Sequence, residues 1–128
     1  MTILDASAVL TLLLDEPGAD TVEDAIDDGA VVSAVNLGEV LVKMADAGAA
    51  PERAIGLIGG LFVEVVPYGL DTAEDGAVIR STAPGSSLSL GDRACLSLAR
   101  ARNRSVLTAD RAWLELASVL DVQVTSIR

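Results

Sequence analysis

Ser89-Leu-Gly-Asp92-Arg-Ala-Cys-Leu-Ser-Leu-Ala-Arg100, followed after a short basic link by Ser105-Val-Leu-Thr-Ala-Asp110, is the stretch whose reading decides the fold. Ser89 with Asp92 three residues on has the form of a capping box, so a helix starts here. The apolar run after Ser105 reads as a short strand that stops at an acid. Together they form one αβ unit. In a parallel sheet the N-terminus of a helix and the C-terminal ends of strands open onto the same edge, where ligands bind. Asp92 and Asp110 are therefore expected in one crevice.

The same alternation runs outward from this unit in both directions. Thr2-Ile-Leu-Asp5 is a short strand stopped by an acid, and Ala6 to Leu14 continues as a buried helix broken at Pro17-Gly18. A polar helix from Ala19 to about Asp28 precedes Ala30-Val-Val-Ser-Ala-Val35, a β-branched run typical of an interior strand. The spacing of Leu37, Val40, Leu41 and Met44 predicts a helix from Asn36 to about Gly48, with Glu39 off its core-facing stripe. Pro51 opens a further helix that Gly59-Gly60 ends, and Leu61 to Val66 is the third strand. A helix from Leu70 to about Arg80, a Ser/Gly/Pro loop over 81–87, the central unit, a short helix from Arg111 and a last strand Val122 to Thr125 complete the chain. Strands alternating with helices predict an α/β fold, a three-layer α/β/α sandwich on a mainly parallel sheet. At 128 residues, 1–128 is expected to form a single domain.

Composition removes several classes of function. Hydrophobic residues make up 51% but aromatics only 2%, so the core is aliphatic and base-stacking platforms of the single-strand-binding kind are not expected. With no histidine and one cysteine, Cys/His zinc sites, an internal disulfide and Ser-His-Asp chemistry are excluded. The run Ala6 to Leu14 is too short to span a bilayer, and no basic region precedes it, so a cytoplasmic protein without membrane association is expected. The net charge of −10 opposes simple binding to a phosphate backbone. Five of the nine basic residues, Arg93, Arg100, Arg102, Arg104 and Arg111, fall in the central segment, where those after Leu98 compensate a helix C-terminus. Seven acids without a base lie between Asp15 and Asp28, as on a solvated helix face.

Four acids stand out by position. Asp5, Glu39, Asp92 and Asp110 each follow a strand or lie in the first turn of a helix, so a parallel sheet brings them to one side. Taken singly each has an ordinary use: Asp5 and Asp110 as N-caps, and Asn36…Glu39 and Ser89…Asp92 as capping boxes. Taken together, four neighbouring carboxylates need protons or a cation. Hard oxygen ligands suit Mg²⁺ or Mn²⁺. Such an ion would also attract the phosphate that the protein alone repels, which favours phosphodiester hydrolysis. Ser7 and Thr108, each two residues from an acid, are supporting candidates through their hydroxyls, alongside ordinary local hydrogen bonding.

Ile3-Leu-Asp5-Ala-Ser7-Ala, Asn36-Leu-Gly-Glu39-Val, Ser89-Leu-Gly-Asp92-Arg-Ala and Leu107-Thr-Ala-Asp110-Arg-Ala-Trp resemble, in this order, the motifs of PIN-domain ribonucleases, most closely the VapC-type toxins of bacterial toxin–antitoxin pairs. The resemblance covers essentially the whole chain. It implies a Mg²⁺-dependent endoribonuclease that forms a homodimer and is held inactive by a small antitoxin whose tail enters the acidic groove. It implies, too, that Asp5, Glu39, Asp92 and Asp110 are the catalytic acids. Asp5, Asp92 and Asp110 would be the metal ligands and Glu39 would position water.

Two other classes compete with the RNA-cleaving toxin. A housekeeping PIN nuclease of RNA maturation, or a structure-specific DNA nuclease, has the same acids. A non-catalytic interaction module uses them only as caps. A receiver-like signalling domain fits worse, because only Asp5 stands at the first strand's end and the sole lysine is Lys43.

Overall fold

The computed structural model describes all residues, Met1–Arg128. Five strands, β1 (Thr2–Leu4), β2 (Ala30–Ser33), β3 (Glu64–Val66), β4 (Val106–Thr108) and β5 (Val124–Ser126), form one sheet in the order β3-β2-β1-β4-β5. Every neighbouring pair is parallel. The registers Leu4↔Val32 and Leu4↔Leu107 bring the ends of β1, β2 and β4 level with one another.

Seven α-helices cover the sheet: α1 (Ala6–Leu13), α2 (Ala19–Asp27), α3 (Ala34–Asp46), α4 (Pro51–Gly59), α5 (Leu70–Thr82), α6 (Leu90–Arg102) and α7 (Ala117–Leu120). A 3₁₀ turn, Arg111–Glu115, lies between β4 and α7. Successive strand residues point to opposite faces, and the core divides accordingly. Ile3, Val31 and Val106 pack with Ile79, Leu96, Trp113 and Leu120 on one side. Leu4, Val32 and Leu107 pack with Val9, Val22, Val40 and Ile58 on the other. Helices α1–α4 thus cover one face and α5–α7 the other, the three-layer sandwich expected from the alternation of elements.

Several boundaries differ from the sequence reading: the last strand is Val124–Ser126 rather than Val122–Thr125, the helix expected from Arg111 divides into a 3₁₀ turn and α7, and α3 and β3 begin elsewhere. Helix α3 begins at Ala34, because the Ser33 hydroxyl accepts a hydrogen bond from Val35 N and caps it there. Asn36 and Glu39 therefore lie inside the helix and form no capping box. Strand β3 is limited to Glu64–Val66, the three residues that pair with Val31–Ser33. Upstream of it the chain turns at Phe62, which has a φ of 55° and is exposed.

Candidate functional site

In strand order the chain runs from β1 outward through β2 to β3, then returns to β1's other side for β4 and β5. The order reverses between β1 and β4, and the crevice at their C-terminal ends is where α/β sheets bind ligands. Asp5 follows β1 and Asp110 follows β4, so both stand at this crevice. Glu39 reaches it from the second turn of α3 and Asp92 from the first turn of α6.

Asp5 is the buried centre of the site, 5% exposed. As N-cap of α1, its Oδ1 accepts from Ala8 N at 2.8 Å and from the Ser7 hydroxyl at 2.6 Å. Its Oδ2 accepts from the Thr108 hydroxyl at 2.5 Å. The same hydroxyl oxygens accept in turn from the next loop, Ser7 Oγ from Ala109 N at 2.9 Å and Thr108 Oγ1 from Asp110 N at 3.0 Å. Both hydroxyl protons are therefore committed to Asp5, and the two side chains tie the start of α1 to the end of β4. Three donors and no acceptor around Asp5 fit an ionised carboxylate. Burial nevertheless pushes its pKa up, the three hydrogen bonds pull it down, and the charge of Asp92 pushes it up again.

Glu39 is half-buried and lies against α6. A Cβ on Gly91 would overlap the Glu39 carboxylate, so the missing side chain of Gly91 is what lets the two helices approach. Beside this contact the Asn36 Nδ2 donates to the Gly91 carbonyl at 3.0 Å, pinning α3 to α6 where both acids project. Burial and then the charge of Asp92 raise the Glu39 pKa, with a smaller push from Asp5, while Lys43 one turn along α3 opposes them. Beneath these side chains Cys95 is fully buried, and burial followed by the charges of Asp5, Asp92 and Glu39 raises its thiol pKa well above the usual value. The charge of Asp92 thus bears on both Asp5 and Glu39, and all three carboxylates bear on one buried thiol.

Asp92 and Asp110 retain the caps read from the sequence. Asp92 Oδ2 accepts from Ser89 N at 2.9 Å while Asp92 N donates to Ser89 Oγ at 3.1 Å, completing the box. Asp110 Oδ1 accepts from Ala112 N at 3.0 Å and starts the 3₁₀ turn. Both line one cavity at the crevice.

The four acids therefore stand along one edge, supplying hard, negatively charged oxygen donors of the kind a divalent cation takes. No three of them are close enough to form a finished metal cage. Asp92 and Asp110 turn one oxygen back to backbone amides, and Glu39 rests on Gly91. Each carboxylate has further lone pairs for a ligand. The feature the sequence reading missed is the Asn36–Gly91–Glu39 junction. The glycine at the second position of α6 was its signal, since a helix start gains nothing from glycine unless something packs on it.

The basic residues of the central segment are mostly engaged elsewhere. Arg100 and Arg102, in the last turn of α6, pair with Asp75 at 3.5 Å and Glu64 at 2.9 Å, and Arg93 donates to the Leu88 carbonyl. No helix is long and apolar enough to cross a membrane.

A family model described as PIN domain matches residues 2–119. Among solved structures, FitAB bound to an IR36 DNA fragment is 23% identical with a TM-score of 0.75, covering 99% of this chain and 95% of that one. A DNA-bound VapBC from Salmonella typhimurium is 19% identical with a TM-score of 0.75, covering 99% of this chain and 98% of that one. A toxin–antitoxin complex from Klebsiella pneumoniae is 14% identical with a TM-score of 0.75, covering 100% and 98%. Among curated proteins, none matches the chain significantly.

Proposed function

The chain belongs to the PIN-domain family, and from that premise we propose that it is a Mg²⁺-dependent endoribonuclease, the toxin of a toxin–antitoxin pair. The observation that carries the reading is the convergence on the β1/β4 crevice of Asp5, of Glu39 lying on the first turn of α6 that bears Asp92, and of Asp110, which lines one cavity with Asp92. Asp5, Asp92 and Asp110 would hold the ion, Mg²⁺ or Mn²⁺. When bound, it supplies a water of lowered pKa and charge stabilisation for the leaving oxygen. Glu39, projecting from α3 against the first turn of α6, would orient the attacking water. Ser7 and Thr108 fix the carboxylate of Asp5 through their hydroxyls and exclude water from it. The 128 residues act as one nuclease domain. The solved neighbours include a toxin–antitoxin complex and two DNA-bound assemblies, which supports a protein antitoxin as partner. A homodimer in the cytoplasm, with RNA as substrate, completes the proposal.

The test is cleavage of RNA by the purified chain, freed of any antitoxin, with Mg²⁺. Wild type should cleave, and Asp5→Asn should lose at least about tenfold in rate, the lower range for disturbing a metal site. Equal cleavage by both, or none by either, overturns the reading.

A further inference from the structure

A cavity of about 460 Å³ opens beside the carboxylate edge, between the loop that joins α5 to α6 and the 3₁₀ turn after β4. Its volume falls within the roughly 300–1,000 Å³ of small-molecule sites. Asp92 and Asp110 line it, so whatever enters it sits beside the proposed point of cleavage. Leu116 and Val119 give it an apolar wall, with Leu88 and Trp113 buried directly behind them. Ser86, Ser87 and Glu115 add acceptors, and no lysine or arginine is present in the lining.

Away from Asp92 and Asp110, which would hold the ion, the remaining carboxylate of the lining, Glu115, has no lysine or arginine beside it in the cavity and disfavours a second phosphate there. The lining suits a neutral, planar group whose edge carries N–H donors. We propose that the cavity is a subsite for a guanine base of the substrate, seated next to the phosphate at the carboxylates; this rests on the nuclease reading above. The guanine N1–H and N2–H donors match the two oxygens of a carboxylate, and Glu115, which has no place among the four acids, is their acceptor. The apolar wall takes the face of the ring, as sites for splayed-out RNA bases do. Uracil presents carbonyl oxygens on either side of its single N–H and is repelled.

Trp113 is the only tryptophan in the chain and lines the cavity, so its fluorescence reads occupancy without any cleavage. The full chain is titrated with guanosine, uridine and N-acetyl-argininamide, without metal. Guanosine should quench Trp113 saturably and bind at least about fivefold more tightly than uridine, the lower range for one good base-edge pair. Glu115→Gln should remove that preference, and Val119→Phe, which fills the cavity from an exposed position, should weaken guanosine binding at least about tenfold. Circular dichroism of both variants checks that they are folded. Absence of saturable quenching by guanosine, or equal binding of guanosine and uridine, overturns the proposal. Tighter binding of N-acetyl-argininamide overturns it in favour of a basic peptide side chain. RNA cleavage without guanosine binding removes the subsite alone, whereas guanosine binding without cleavage removes the nuclease reading and leaves a guanine site that serves no RNA substrate.

Discussion

Replacing Gly91 by alanine separates the position of Glu39 from the stability of the fold. Gly91 lies in the first turn of α6, where alanine is the better helix former by up to about 1 kcal/mol. Against this gain, the new Cβ would fall on the Glu39 carboxylate. The displaced group is the far end of a flexible side chain on α3, so it rotates away at small cost. The Asn36 side-chain amide bonds the Gly91 backbone carbonyl, which the substitution leaves in place, and so this bond survives. The net change in stability should lie within about 1 kcal/mol of zero, a few degrees in melting temperature for a chain of this size. The effect on the site is larger. A group moved by about 1 Å or more from its working position can cost a hundredfold in rate. Gly91→Ala should therefore melt within a few degrees of wild type while its kcat/KM for RNA falls about a hundredfold, with Glu39→Gln falling similarly and the double variant no further. Thermal melts and single-turnover cleavage measure the two quantities. Wild-type cleavage by Gly91→Ala, or a loss of more than about 3 kcal/mol in stability, would refute the reasoning, because either result means that Glu39 does not rest on Gly91 in the working protein.

Other perturbations test the remaining joints of the site. Asn36→Ala, which leaves the Gly91 carbonyl without its donor in a buried setting, should destabilise by about 1–3 kcal/mol in urea unfolding; no change would show that α3 and α6 are held by apolar contacts alone. Thr108→Val keeps the side chain's shape but removes the donor to Asp5 and the acceptor for Asp110 N, and should cost about 1.5–3 kcal/mol, the range for a hydrogen bond to a charged group. The pH dependence has a definite sign. Asp5 and Glu39 have folded-state pKa values raised above their ordinary 3.8 and 4.5, so the folded chain binds protons more tightly than the unfolded one. Their contribution to stability is full below those values and is lost as pH rises through the folded-state values. In metal-free buffer Asp5→Asn should therefore gain stability relative to wild type as pH rises above about 4, and a wild-type curve that diverges in the opposite direction contradicts the burial of an ionised Asp5.

What could be read from the chain alone was whatever neighbouring residues decide between themselves. The Ser89–Asp92 box lies within a single turn, and the structure closes it as the spacing requires. Pro51 and Gly60 likewise bound α4 as expected, one fitting the first helical position and the other ending the helix. Reading Asn36 as a cap failed because Ser33, also a good cap, lies three residues upstream, and a contact 55 residues away decides between them. Val35, β-branched and apolar, looked like strand, but β2 ends at Ser33 because its hydroxyl caps α3. For β3 the apolar run Leu61–Val66 showed that a strand was present, while only pairing with β2 could show that half of it is used. The four acids were legible as residues that end strands or begin helices. The groups that orient them were not, because Ser7, Thr108, Asn36 and Gly91 act across the crevice on partners distant in sequence.

In the proposed nuclease Asp5, Glu39, Asp92 and Asp110 share a demand for one kind of counter-charge. Isothermal titration of Mn²⁺ into the metal-free chain, alongside Asp5→Asn and Asp92→Asn, tests it directly. Saturable binding by wild type that either substitution weakens at least about tenfold, the usual scale for disturbing a metal site, is the expected result. No saturable binding by wild type, or binding that both variants retain in full, would leave the acids as helix caps and contradict the account.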